Sequence, residues 1–454
     1  MEEKNCRSRG TWTTRIGFIF AAAGSAVGLG NMWKFPYVTG IYGGGAFVLI
    51  YLLSVIMIGF PIMVAEFMIG RNTQLSPVGA FTKLGKNRLW KFAGWLGVLS
   101  GFIILSYYSV VGGWILDYVI RSVFNQFQNC SVRQIEKMFE VLLESPLRQV
   151  GCHAFFIFFV VYVVSGGIAR GIERWNKILM PTLFGILLLL LINSLLSPGA
   201  REGIKFLFNP DFSKITPSAI LVAMGQAFFS LSLGMGAMIT YGSYINQDTN
   251  IVNSAAEVCF LDTLVALVGG LVIFPIVFSC GLPPSAGPGL FFKTLPVVFS
   301  RLPWGSLIAF FFFILVTFAA LTSAISLFEV VVSYVIDEKG WNRKKSSYFM
   351  GIIIFLVGVP SALSFNLIKN IEIIGKRNVF DSLDFIATNY FLPIGGLLIA
   401  LFCGWSLSEK VSKDEIRKGG NNLFFYYLWR YIVRYIAPVA VTLVFIQKTG
   451  LISF

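Results

Sequence analysis

The chain has 454 residues, 56% hydrophobic, 16% aromatic and only 13% charged, with a net charge of +14. Soluble domains run at about 45–50% apolar and about 25% charged, so a soluble enzyme or a basic nucleic-acid-binding domain does not fit. Apolar stretches long enough to span a bilayer recur along the whole length, and the excess of lysine and arginine suits loops beside such spans.

The N-terminal segment MEEKNCRSRGTWTTR is polar, mixed in charge and leads directly into a full-length span, unlike a cleavable signal. Hydropathy predicts eleven spans near 14–38, 43–70, 92–122, 151–169, 177–198, 219–245, 258–281, 304–335, 348–366, 384–406 and 424–446. Cations cluster on the side of the N-terminus: Arg7, Arg9 and Arg15, then Arg71, Lys86 and Lys91, then Arg170 and Arg174, then Arg343 to Lys345, then Lys410 to Lys418. That bias predicts an N-terminus inside and a C-terminus outside, although the loop 246–257 carries no cation. Two longer outward segments, 199–216 and 282–303, are rich in Pro, Gly and aromatics, and 287–303 reads as a small helix, either a lid or a surface helix. The six cysteines show no metal-type spacing. Cys130 and Cys152 fall near one outward loop, where pairing stays open, and His153, the only histidine, reads as structural.

Span one is interrupted by GSAVGLGNMWKFP, residues 24–36. A helix interior loses about 1 kcal/mol for Gly and about 3 for Pro relative to Ala, so the break needs a reason. Span six, FFSLSLGMGAMITYGSY at 228–244, carries a matching break. GLG at 28–30 and GMG at 234–236 lie five helices apart, and that odd spacing makes the two copies opposite in orientation. Interrupted spans at matching positions point to an inverted-repeat transporter with its site at the midplane. The expected fold is therefore an all-α membrane protein with eleven transmembrane helices. In one transporter domain, residues 1–198 form the first repeat (spans 1–5) and 217–406 the second (spans 6–10), both unwound in their first span. Residues 422–454 supply the eleventh span and tail.

Unwound turns leave N–H and C=O groups that suit a carboxylate and a cation respectively. Other polar residues meet the same need: Thr322 and Ser323 in FAALTSAISLFE, Tyr107–Tyr108 in span three, and Asp262 in CFLDTLVALVGG. A carboxylate within an apolar span costs about 2.5–3.5 kcal/mol on insertion scales and is by default functional. Thr and Ser in such helices more often bond back to the preceding turn. A channel would need rings of carbonyls or charges along a pore, and an enzyme would need a nucleophile or cofactor motif. The chain shows neither.

The motifs GSAVGLGNMWKFPY, YGGGAF, FFSLSLGMGAMITYGSY and FAALTSAISLFE resemble the neurotransmitter:sodium symporter family, over nearly the whole chain. The nearest likeness is to its eleven-span bacterial branch, transporters of tyrosine and other hydrophobic amino acids. The resemblance implies two Na⁺ sites. The first would use the Ala26 carbonyl, Asn31, Ser230 and Asp262, completed by the substrate carboxylate; the second would use carbonyls of Gly24, Val27 and Ala319 with the hydroxyls of Thr322 and Ser323. The substrate carboxylate would meet Leu29, Gly30 and Tyr108, and its ammonium Ala26, Phe229, Ser230 and Ser232. Ile104, Phe229, Met235, Ser326 and Leu327 would wall the side-chain pocket. Lys34 and Asp384 match the outer gate, Arg9 and Asp337 the inner one with Trp12 and Tyr244 alongside. Lys34 replaces the usual arginine, which loosens the pair.

Two departures within the family bear on function. Monoamine-carrying relatives have an aspartate at Gly28, so this chain expects a substrate that brings its own carboxylate. Chloride-dependent relatives have an asparagine at Asp262 and a serine at Ala266; with Tyr51, Gln226 and Ser230 retained, the fixed carboxylate makes chloride redundant. The implied activity is Na⁺-coupled, chloride-independent symport of a hydrophobic or aromatic L-amino acid, with tyrosine favoured over leucine, tryptophan or other large neutral amino acids. It would act by alternating access in a bacterial cytoplasmic membrane, with no nucleic-acid partner.

Overall fold

The computed structural model describes residues 10–128, 130–281, 291–302 and 304–449. Among them the chain is helical throughout, with only two isolated β-bridges. Nine helices are long and apolar enough to cross a membrane: α3 (Gly45–Thr73), α4 (Arg88–Val123), α5 (Pro146–Ser165), α6 (Ile168–Leu195), α9 (Ile251–Ser279), α10 (Gly305–Lys339), α11 (Arg343–Leu363), α12 (Val379–Ser406) and α13 (Leu423–Lys448). Ahead of them, α1 (Arg15–Ala26) and α2 (Gly30–Ile41) pass the same test together, bent by 49° at the break. Between α6 and α9 lie two short pieces, α7 (Pro217–Ser230) and α8 (Ala237–Gly242), where hydropathy predicts one span over 219–245.

Burial sorts the helices into an inside and an outside. The apolar windows of α4 and α10 are 78% buried, those of α6, α11 and α13 only 39%. The exposed faces of α6 and α11 present Leu188, Leu189, Ile352 and Leu356. Continuous apolar surface of that kind is untenable in water and ordinary against lipid. The two broken segments, α1–α2 and α7–α8, are held within the inner group.

Four helices carry a π turn directly before a proline: Gly30–Lys34 before Pro36, Val55–Gly59 before Pro61, Ala387–Phe391 before Pro393, and Ile432–Ile436 before Pro438. Proline lacks an N–H and its ring clashes with the carbonyl four residues back. Widening the helix by one residue relieves both, at the cost of looser backbone bonding there.

Helix boundaries move where side chains cap. α9 starts at Ile251, seven residues before the hydropathy boundary at 258, because the Asn250 side chain accepts from the N–H groups of Val252 and Asn253. Segments 199–216 and 282–303 hold helices Ala200–Phe208 and Thr294–Arg301; residues 287–290 and 303 of the small helix expected over 287–303 lie outside the described residues. Cys130 and Cys152 are free. His153 is buried within α5, bonded to the Phe355 carbonyl at 3.1 Å and stacked on its ring.

Candidate substrate and ion site

Both breaks face one cavity of about 440 Å³. It is lined by Ala26, Gly28, Leu29 and Gly30 from the first break, and by Phe229, Ser230, Ser232 and Met235 from the second. Ile104 and Tyr108 of α4, with Ser323 and Leu327 of α10, complete its floor. The predicted substrate residues thus meet in one place, except Ser326. Its hydroxyl turns away, donating to the Ser323 carbonyl and accepting from Ser25 Oγ.

The second break passes through three left-handed residues, Ser232, Gly234 and Gly236. Gly234 is sterically required: a Cβ there would lie 2.6 Å from the Leu392 carbonyl oxygen. Its freed N–H donates to Glu66 Oε1 at 2.8 Å, so a fully buried carboxylate of α3 braces the unwound turn. The two breaks are tied directly by Gln226 Nε2 donating to the Gly30 carbonyl at 2.9 Å and Ser232 Oγ to the Ser25 carbonyl at 2.7 Å.

Two clusters of oxygen lie beside the cavity. In the first, Asp262 of α9 is fully buried, and its carboxylate accepts from Asn31 Nδ2 at 2.7 Å, Ser230 Oγ at 2.8 Å and Tyr51 Oη at 3.3 Å. In the second, Ser323 Oγ lies 3.4 Å from the Gly24 carbonyl oxygen, 3.2 Å from that of Ser25, 3.4 Å from that of Val27 and 3.1 Å from that of Ala319. A hydroxyl has one proton to offer, so four acceptors converge on a single donor. Thr322 Oγ1 adds a sixth oxygen nearby, 3.1 Å from the Ala319 carbonyl. Such a surplus of neutral oxygen suits a hard cation. Among the described residues, no group of three or more His, Cys, Asp and Glu side chains is placed to hold a metal.

The buried hydroxyl of Tyr108 makes no well-formed hydrogen bond: it lies toward Ser323 and the Leu29 backbone at the first break, where a Cβ on Gly28 would lie 3.5 Å from it. A buried polar group without a well-formed hydrogen bond is costly, and here a ligand can supply one.

The two ends of the site differ. Toward α12 the cavity continues past Trp33, Tyr37 and Tyr107 to Phe380, Asp381 and Asp384. Lys34 and Asp384 both line it, but Lys34 Nζ sits 4.2 Å from the Phe229 ring centroid, and no ion pair joins the two among the described residues. At the other end Trp12, 3% exposed, donates Nε1 to the Tyr241 carbonyl at 3.0 Å and its backbone N–H to the Tyr244 carbonyl at 3.2 Å. Tyr244 Oη donates to Glu329 at 2.5 Å, and Arg343 clasps Glu329 with two bonds of 2.7 and 2.9 Å. Asp337 accepts from the Ser76 N–H at 2.6 Å; Arg9, its expected partner, lies outside the described residues.

Glu66 and Glu329 are functional candidates that the sequence reading passes over. Both are carboxylates within apolar spans, the signal that singles out Asp262. Their partners, a freed N–H across the bundle and an arginine at the next helix start, are visible only in three dimensions.

Comparison with known proteins places this architecture. The family model described as the sodium:neurotransmitter symporter family matches residues 9–150 and 150–453. The chain is 43% identical to an uncharacterized sodium-dependent transporter, YhdH, of Bacillus subtilis over 444 residues, covering 98% of each. It is 36% identical to an uncharacterized sodium-dependent transporter of Haemophilus influenzae, covering 98% of this chain and 99% of that one. Among solved structures it is similar to MhsT in complex with L-phenylalanine, with a TM-score of 0.88 and 46% identity over 97% of this chain and 100% of that one.

Proposed function

The chain belongs to the sodium:neurotransmitter symporter family, a family of sodium-dependent membrane transporters, and from that premise we propose that it is a Na⁺-coupled, chloride-independent importer of hydrophobic or aromatic L-amino acids, tyrosine first. The observation that carries the ion half of this reading is the convergence of four carbonyl oxygens on Ser323 Oγ. A cation with Gly24, Val27, Ala319, Thr322 and Ser323 as ligands satisfies what one hydroxyl proton cannot. A second Na⁺ sits at Asp262, Ser230, Asn31 and the Ala26 carbonyl. There the Asn31 amide turns about its terminal torsion so that Oδ1, now accepting from the Gly28 N–H at 3.0 Å, faces the ion.

For the substrate, the Tyr108 hydroxyl and the turn at Leu29–Gly30 receive the carboxylate, which also completes the Asp262 ion site. Each ligand then improves the other's binding, which is the thermodynamic content of coupling. The side chain lies among Ile104, Phe229, Met235 and Leu327, apolar walls with a polarizable thioether suited to an aromatic ring. Support for this class comes from the neighbouring structure of MhsT, which holds L-phenylalanine. Gly28 leaves room for a carboxylate but supplies none, so a decarboxylated amine lacks its counter-charge. Chloride is redundant because Asp262 already fills the pocket of Tyr51 and Ser230 with a fixed anion.

In this reading eleven spans cross a bacterial cytoplasmic membrane, α1–α2 and α7–α8 being the first and sixth. The second half repeats the first in inverted orientation, with the N-terminus inside. The Asp384 end is then the outer mouth and the Trp12 end the closed inner gate. Alternating access exchanges these two: Lys34 and Asp384 close above the substrate while Trp12 and Tyr244 release below it.

The test is uptake into sealed proteoliposomes. Labelled L-tyrosine should accumulate under an inward Na⁺ gradient, be competed by phenylalanine and tryptophan, and be unaffected when chloride is replaced by gluconate. Tyramine transported as well as tyrosine would overturn the substrate class, and loss of uptake in gluconate would overturn the role given to Asp262.

A further inference from the structure

Lys448 lies in the last turn of α13, yet its ammonium turns back into the bundle. Nζ donates to the Thr388 carbonyl at 3.4 Å, and its Cε packs over Gly225, where an added Cβ would lie 3.5 Å from it and 3.4 Å from Val444 Cγ1. With Phe228, Leu392 and Val444 it walls a small cavity among α7, α12 and α13. Phe229 and Thr388 form the partition between that space and the main cavity, since both line each.

The position of Thr388 matters. It sits in the π turn Ala387–Phe391, a kind of helix irregularity frequent at functional sites. Its hydroxyl donates to the carbonyl of Asp384, one turn earlier, at 2.7 Å. Asp384 is near enough to attract both Lys34 and Lys448, and the two cations are near enough to repel each other, a repulsion that a shared carboxylate would offset. Among the described residues none of these three groups is in an ion pair within 4 Å. A cation without a carboxylate partner inside a span is costly and marks a functional position by default.

We propose that Lys448 is a second cation of the gate at Asp384. On closure its ammonium leaves the Thr388 carbonyl for the Asp384 carboxylate, which is then shared by Lys34 from the first span and Lys448 from the last. Four residues of helix separate the two acceptors, about 6 Å along the axis at 1.5 Å per residue, within the swing of a lysine side chain. The arrangement makes α13, which lies outside the two repeats, part of the gate. It rests on the reading of Asp384 as a gate residue.

The test reads the gate without any substrate. Val111, on the cavity wall, is replaced by cysteine in a full-length background whose native cysteines are serine or alanine. Its rate of labelling by a membrane-impermeant maleimide is then measured in Na⁺ buffer with no amino acid. Lys448→Gln should raise that rate about threefold, the scale of a partly exposed ion pair, while Lys448→Arg holds it at the parent value. In an Asp384→Asn background Lys448→Gln should add nothing. An unchanged rate in Lys448→Gln, or the same increase with Asp384 absent, overturns the proposal. Failure of amino-acid uptake would overturn the transport reading instead and leave this readout intact.

Discussion

Ser323→Ala removes the one oxygen that stands amid the carbonyls of Gly24, Ser25, Val27 and Ala319, at 3.1 to 3.4 Å from each. The substitution leaves volume nearly unchanged, and the loss of a neutral hydrogen bond costs the fold about 1 kcal/mol. If the same oxygen is a ligand to a cation, its removal costs roughly 1.5–3 kcal/mol of binding, equivalent to about a 10- to 150-fold loss of Na⁺ affinity. The two quantities separate in a thermal-unfolding titration of purified protein, with NaCl exchanged for choline chloride at constant ionic strength. The midpoint of Na⁺-induced stabilisation should rise at least about tenfold, while the melting temperature in choline stays close to that of the unmodified chain. An unchanged Na⁺ midpoint would show that Ser323 merely bonds back within its helix. Equal destabilisation in both salts would show that its role is in folding.

Tyr108→Phe deletes a hydroxyl that makes no well-formed hydrogen bond within the protein, so melting temperature should hold. Affinity for L-phenylalanine, measured by equilibrium binding in Na⁺, should fall about tenfold or more for a lost bond to a carboxylate. Unchanged affinity would remove Tyr108 from the site. Gly28→Ala places a methyl 2.6 Å from Ser323 Oγ and must displace that hydroxyl. Na⁺ and amino-acid binding should therefore weaken together, and loss of amino-acid binding alone, with the Na⁺ midpoint intact, would refute the shared wall.

The residues that form the cavity were legible in the sequence because breaks in apolar spans are loud signals. GLG at 28–30, GMG at 234–236 and Asp262 violate the rules of a membrane interior, and the structure gathers all three. Quieter features escaped. Glu66 sits in an apolar span like Asp262, but its partner, the N–H of Gly234, is supplied by a helix far along the chain. Pro36, Pro61, Pro393 and Pro438 were visible, yet hydropathy does not see that each is preceded by a widened turn. Ser326 shows the opposite failure: right helix and right turn, but its hydroxyl is satisfied by Ser25 and the Ser323 carbonyl. Helical spacing fixes which face a residue shares, while local hydrogen bonds decide where its polar atom points.

Trp12 precedes the first helix and is seated in extended chain, not on a rigid element. Its ring is wedged against Phe18, Tyr241 and Tyr244, and the adjoining Thr13 and Thr14 are moored to Glu173 of α6. Peeling away this short segment would remove Trp12 from the closed end and leave the Tyr244, Glu329 and Arg343 contacts as its remaining seal. Anything fused ahead of residue 10 is therefore a handle on that segment. Labels, tethers or surface attachment are safer elsewhere, and an intentional pull at this end offers a mechanical way to loosen the seal around Trp12.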